Sequence, residues 1–191
     1  MDKGNYLTTI LKSDKTVFSI ADIVMLWQEK NTDAARVRLS YYAKNGDLYR
    51  IRRGLYAKNK DYNQLELATK IFTPSYISFE TVLAKEGLIF QYQTKITIAS
   101  YLTREIVVDK QAYSYKKIKD VTLTNPQGVE NKNHLSIACK ERALLDTLYT
   151  KTDYHFDNLR SINWDAVSNI LPIYNNKRMA KIVNLLFKES K

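Results

Sequence analysis

With 191 residues, 45% of them hydrophobic, the chain is long enough for one ordinary domain or for a small module joined to a larger one, and apolar enough for packed cores. Thirty Lys and Arg against 20 Asp and Glu leave a net charge of +10 and a pI of about 9.5; this favours a polyanionic partner, nucleic acid ahead of membrane, because cations laid against phosphates release condensed counterions. One cysteine, Cys139, excludes an internal disulfide framework and fits a reducing cytoplasm, two histidines offer no zinc-ligand spacing, and the polar start Met1-Asp2-Lys3-Gly4-Asn5 predicts neither a signal peptide nor a spanning helix.

In chain order, Tyr6 to Leu11 reads as a short helix with apolar positions at Tyr6, Ile10 and Leu11. Ser19 then has the character of an N-cap, its hydroxyl available to an orphan N–H while Ile20, Ile23, Val24 and Trp27 form an inward stripe. A third helix starts near Thr32 or Asp33 and ends at Gly46, a left-handed stop after Asn45. At about 100° per residue, Ala35, Leu39 and Tyr42 fall together as its buried stripe, with Ala43 on the shoulder. The opposite face carries Val37, Ser40, Tyr41 and Lys44, flanked by Arg36 and Arg38. Such a mixture of a methyl-bearing group, hydroxyls and cations suits a DNA major groove; an ordinary solvated helix face is the competing reading.

After the glycine turn comes Leu48-Tyr49-Arg50-Ile51-Arg52-Arg53-Gly54-Leu55-Tyr56-Ala57, two β-rich runs that predict a hairpin with Arg52 and Arg53 at its tip. Gly54 supplies the backbone angles of the turn. A charged tip can serve as edge protection alone, but beside the helix it favours DNA contact. Residues 30–60 hold nine Lys/Arg against two Asp/Glu, so most of the surplus charge sits here. Three helices and a basic hairpin predict a winged helix-turn-helix over residues 1–60.

The polar run at residues 58–64 is the expected boundary, and residues 61–191 carry 18 Lys/Arg against 14 Asp/Glu. This second domain is closer to neutral, which points its role away from phosphate binding. It opens with a helix around Gln64 to Ile71, a break at Pro74, and a helix from Ser78 to about Glu86 stopped by Gly87. The period then switches to two. Thr94 to Ser100, Arg104 to Val108, Ala112 to Ile118, Val121 to Thr124 and Leu135 to Ala138 predict a mainly antiparallel sheet of about five strands. Helices follow at Cys139 to Tyr149, near Trp164 to Leu171, and at Asn175 to Phe187. The last places Lys177, Arg178, Lys181 and Lys188 on one side and Met179, Ile182, Val183, Leu185 and Leu186 on the other, read by default as packing on its own sheet, with a partner interface or a second phosphate contact as alternatives. The fold class is α+β: a winged helix followed by an α+β domain with a helical C-terminal tail.

Chemistry is harder to find. No glycine-rich phosphate loop is present. Cys139 with His134 and His155 is the nearest approach to a nucleophile site, against the reading of a lone cysteine as a small hydrophobe. Glu141 and Asp146 lie about 140° apart round a helix, poorly placed for joint acid–base work, so Glu141, Arg142 and Asp146 are read as a salt-bridged surface or one bridging the sheet. No catalytic residue, metal or cofactor is expected.

Several segments match one family in the same order: the winged-helix start, Gly46 to Ala57, Pro74-Ser-Tyr-Ile-Ser-Phe-Glu80 with Gly87-Leu-Ile89, Thr94 to Ala99, and Ala138-Cys-Lys-Glu-Arg-Ala-Leu-Leu-Asp146. Together they resemble AbiEi-type antitoxins of bacterial abortive-infection toxin–antitoxin systems, over roughly residues 5 to 150. The resemblance implies an N-terminal winged helix that binds inverted repeats of double-stranded DNA in its own promoter and represses the operon. It further implies a C-terminal domain that counters a cognate nucleotidyltransferase toxin without a stable complex. Arg36, Arg38, Ser40, Tyr41 and Lys44 would be helix contacts and Arg50, Arg52 and Arg53 wing contacts. Inverted repeats imply two copies, meeting at least on DNA. Two other readings compete: a winged-helix regulator whose C-terminal domain senses a ligand or binds a partner protein, and an enzyme acting on nucleic acid, which would need a catalytic constellation absent from the pattern.

Overall fold

The computed structural model describes residues 5–151 and 153–190; Met1 to Gly4, where no leader is expected, lie outside them. The chain divides into two units, Met1–Ile71 and Phe72–Lys191.

In the first unit short polar side chains set the helix starts. After α1 (Asn5–Lys12), β1 (Val17–Ser19) runs directly into α2 (Ile20–Trp27). Ser19 keeps extended backbone while its Oγ accepts from Asp22 N at 3.1 Å, and Asp22 Oδ2 accepts from Ser19 N at 2.8 Å. This reciprocal cap satisfies two donors that the first turn would leave orphaned. Asn31 does the same for α3 (Thr32–Asn45), its Oδ1 accepting from Asp33 N and Ala34 N, and Gly46 ends the helix at φ 83°. The hairpin β2 (Tyr49–Arg52) and β3 (Leu55–Ala57) follows, with Gly54 at φ 80° in its turn.

One strand here was not expected. β1 pairs antiparallel with β3, Val17 opposite Ala57 and Ser19 opposite Leu55, giving the order β1-β3-β2. Val17 and Phe18 are both buried, so three residues show no in–out alternation to read. Ile10, Phe18, Ile23, Trp27, Ala35, Leu39, Leu48 and Tyr56 form the core. Tyr42, expected on the buried stripe, is only half-buried and meets the Trp27 ring edge-on.

The first unit extends to Ile71, past the boundary expected at residues 58–64, because two carboxylates fasten the helix α4 (Gln64–Ile71) to it. Glu66 Oε2 accepts from Thr16 N at 2.8 Å and Thr16 Oγ1 at 2.6 Å. Asp22 receives Lys70 Nζ at 2.8 Å and Lys15 Nζ at 2.7 Å. Burial works to raise the Asp22 carboxyl, but hydrogen bonds from Lys15, Lys70 and Ser19 outweigh it and hold the group far below the usual carboxylate range.

The second unit is built on a sheet of six strands in the order β6-β7-β5-β4-β9-β8. These are β4 (Ser75–Ile77), β5 (Lys95–Ser100), β6 (Arg104–Val108), β7 (Gln111–Lys117), β8 (Val129–Lys132) and β9 (Leu135–Ala138). The ladders β6/β7, β5/β4 and β9/β8 are antiparallel, whereas β7/β5 and β4/β9 are parallel. The expectation of about five strands fails in three places. Val121 to Thr124, read as a strand, lies in the short helix α6 (Asp120–Leu123) and its cap, with Val121 exposed and Thr122 and Leu123 buried. The two strands missed are β4, buried at Tyr76 and Ile77 without alternation, and β8, an edge strand whose Glu130, Asn131 and Lys132 are all exposed. Neither carries the two-residue period on which the reading relied.

Helix α5 (Glu80–Lys85) follows β4 through Phe79, a buried residue at φ 55°, ψ −140°. Glu80 is held there by Lys116 Nζ at 2.7 Å and Lys151 Nζ at 2.9 Å. Helix α7 (Lys140–Thr150) packs on α5, α8 (Trp164–Ile170) continues into a 3-10 turn at Leu171–Tyr174, and α9 (Lys177–Glu189) lies against α7 with Met179 and Val183 buried.

Glu141, Arg142 and Asp146, expected on a salt-bridged surface or one bridging the sheet, are all buried. Arg142 and Asp146, one turn apart on α7, are both 0% exposed. Arg142 Nε donates to Asp146 Oδ1 at 3.3 Å, Nη2 to Thr122 O at 2.7 Å and to Tyr76 Oη at 2.9 Å, and Nη1 to Gln127 O at 2.8 Å. Asp146 also accepts from Ser78 Oγ at 2.7 Å and Tyr174 Oη at 2.6 Å. Burial pushes its carboxyl up, and Arg142 with the three hydroxyls of Tyr174, Ser78 and Tyr76 pulls against that rise. Asp146→Ala strips Arg142 of its counter-ion in a dry interior and is expected to cost about 3–5 kcal/mol in urea unfolding. A loss below about 1 kcal/mol would show that the pair is not what holds α7 to the sheet.

Candidate nucleic-acid interface

The basic face of the first unit is assembled by the capped helix α3 and the β2–β3 hairpin. Leu39 and Ala35 fix the rotation of α3 by filling the core, so the opposite arc is turned outward. Val37 stands at the middle of that arc, 71% exposed, with Tyr41 one turn on at 61%. Ser40 and Lys44 are exposed beside them. On the hairpin, Arg50, Arg52 and Arg53 are exposed, while Ile51 turns half-inward and Leu55 and Tyr56 are buried. The ladder shifts register between Arg50 and Arg52, a local irregularity that re-aims the tip.

Helix and hairpin together bound an open groove of about 590 Å³, lined by Arg36 and Ser40 from α3, by Arg50, Arg53, Gly54 and Tyr56 from the hairpin, and by Ile20. The groove therefore unites four of the eight residues expected at a DNA interface. Tyr41, Lys44 and Arg52 are exposed but do not line it. Among the described residues Lys44, Arg50, Arg52 and Arg53 make no ion pair, so their charge is open to an external anion. Arg36 is tied to Asp33 at 2.7 Å, a contact between two solvent-exposed side chains that contributes little to stability.

Arg38 is placed differently from the expectation. Its guanidinium lies 3.9 Å above the Tyr6 ring and 5.6 Å from that of Trp27, and Nη1 reaches Glu29 Oε2 at 3.2 Å. The side chain is clamped between α1 and the end of α2 and is turned away from the groove. Spacing hardly separates the two arginines: round the helix Arg38 falls about 40° from Tyr42, and Arg36 about 60° from Leu39 on the other side. Arg38→Ala is expected to lower the thermal midpoint by several degrees through loss of the ring contacts and the Glu29 pair, while leaving the salt dependence of DNA binding unchanged. A flattened salt slope with an unchanged midpoint would return Arg38 to the interface.

The residues weighed for catalysis are not drawn together. Cys139 caps α7, accepting from Arg142 N at 3.4 Å, and burial pushes its thiol up, the reverse of activation. His134 stands at the other end of β9, and His155 is exposed, 3.8 Å from Asp157. Glu141 is buried and accepts from Asn163 N at 3.1 Å, which fastens α8 to α7. Among the described residues no group of three or more His, Cys, Asp or Glu side chains could hold a metal ion, and no helix is long and apolar enough to cross a membrane.

No protein-family model and no curated protein matches the chain.

Proposed function

We propose that the first unit is a winged helix-turn-helix that binds double-stranded DNA, with α3 as recognition helix and β2–β3 as wing, and that the protein is a cytoplasmic transcriptional autorepressor. The observation that carries this reading is the groove lined by Arg36 and Ser40 of α3 and by Arg50 and Arg53 of the hairpin, the two hairpin arginines making no ion pair among the described residues. An α-helix fits the major groove, and cations on an adjacent hairpin meet the flanking backbone. The contact set is Arg36, Ser40, Tyr41, Lys44, Arg50, Arg52 and Arg53; Arg38 supports α3 from behind.

The second half of the proposal is an antitoxin activity that opposes a nucleotidyltransferase toxin without a stable complex and without enzymatic action. It is supported by the ordered resemblance of residues 5 to 150 to AbiEi-type antitoxins, and two copies would occupy inverted repeats in the promoter. A second reading, a regulator whose C-terminal unit takes a ligand, is favoured by one observation. A cavity of about 750 Å³ lies between residues 153–160 and α9, lined in part by Leu148, Phe156, Ile182 and Leu186 with Asp153 and Arg160.

Fluorescence anisotropy with DNA from directly upstream of the gene tests the first half. Arg50→Ala/Arg53→Ala is expected to weaken binding to all sequences and to flatten the slope of log K against log salt by about two units, one phosphate per arginine. An unchanged slope sinks the wing assignment. For the second half, the same double variant, expressed from an unrelated promoter, is expected to relieve growth arrest by the cognate nucleotidyltransferase as well as the parent does. Failure to rescue would tie the antitoxin effect to DNA binding and remove the division of labour between the units.

A further inference from the structure

The outward arc of α3 is apolar where a phosphate-binding surface needs no apolar group. Val37 at its centre is 71% exposed and Tyr41, one turn on, is 61% exposed, with the Tyr41 ring set edge-on against Tyr42 at 5.9 Å. A β-branched residue in mid-helix is a weaker helix former than alanine, and at an exposed site it gains no packing in return. A partner that covers it would supply that gain. Arg36 and Lys44 flank the pair on the same helix, and the groove that Arg36 lines also carries Arg50 and Arg53. That charge selects a polyanion, and the apolar pair then faces whatever lies between the phosphates.

Resting on the reading of α3 as the recognition helix, we propose that Val37 and Tyr41 read thymine methyl groups in the major groove, so that the preferred half-site carries thymines under the middle of α3. The thymine C5-methyl is the apolar group that base pairs display on that edge, and apolar contact is how it is recognised. Arg36 is an alternative reader near this face: Asp33 holds only its Nη1, at 2.7 Å, and the remaining donors could meet guanine. Ser40 accepts or donates to any base and adds little discrimination.

Deoxyuridine differs from thymidine only by the missing methyl, which makes the test direct. The full-length protein is used to select its tightest duplexes from a random pool. Thymines of the selected duplex are then replaced one at a time by deoxyuridine, and affinities are compared by anisotropy competition. Uracil at one or two positions per half-site is expected to weaken binding about three- to fivefold, as burial of one methyl group implies. Val37→Ala, at an exposed site where alanine is the better helix former, is expected to keep its thermal midpoint and to bind thymine and uracil duplexes equally at one of those positions. If the protein selects a sequence yet tolerates uracil throughout, methyl readout is wrong and the DNA-binding function stands. Uracil sensitivity that persists undiminished in both Val37→Ala and Tyr41→Ala overturns the assignment to these residues. If no duplex is selected, the recognition-helix reading fails and methyl readout fails with it.

Discussion

Removing a guanidinium and a carboxylate from water costs several kcal/mol for each ion, and in the second unit that cost is met by crowding every polar partner into one place. Arg142 donates to two backbone carbonyls, a tyrosine hydroxyl and Asp146; Asp146 accepts from Tyr76, Ser78 and Tyr174 as well. The partners come from β4, from the segment after it, from α6, from the loop before β8 and from the turn after α8. One ion pair thereby specifies how strands, helices and loops distant in the chain come together. Gly128 shows how closely the chain approaches: at φ 72°, a Cβ there would lie 2.9 Å from the Arg142 Cβ. A network satisfied to this degree gives rigidity as well as specificity, since each member is held from more than one side.

The first unit separates its charges. Asp22, Glu29 and Glu66 are all engaged internally, by Lys15 and Lys70, by Arg38, and by Thr16. Their use in packing leaves the exposed cations of α3 and the hairpin with little acidic company on the same face. A local positive field follows from where the carboxylates went as much as from where the arginines stand. The two Glu66 oxygens are treated unequally: one accepts two bonds from Thr16, and the other is buried with no hydrogen-bond partner among the described residues. Glu66 thus fastens α4 through one well-satisfied oxygen, beside the Lys70–Asp22 pair.

Much of this was visible in advance where the signal is local. Ser19 as a cap, Gly46 as a helix stop and Gly54 in a hairpin turn each follow from the backbone chemistry of one or two residues, and β5, β6 and β7 lie where the alternating runs placed them. Strands β1, β4 and β8 carry no readable period because each is short and shows two or three consecutive residues of like burial instead of an alternation. The helix at Asp120–Leu123 defeats the strand expectation because Val121, Thr122 and Thr124 favour strands while a single helical turn satisfies the backbone.

Helical periodicity alone established which face of α3 is buried at Ala35 and Leu39 and that Val37 and Tyr41 stand opposite, since spacing at about 100° per residue fixes side-chain direction whatever surrounds the helix. Charge counting alone located the basic surplus at residues 30–60. Folding assigned what spacing leaves open, namely the neighbour that each side chain meets. Two residues apart, Arg36 reaches the groove and Arg38 lies over Tyr6. The i to i+4 spacing of Arg142 and Asp146 suits a surface pair as well as a buried one; their interior placement depends on Tyr76, distant by 66 and 70 residues, and on Tyr174, 28 residues beyond Asp146. Desolvation and long-range hydrogen bonding act between chain segments, and only the folded arrangement brings those segments together.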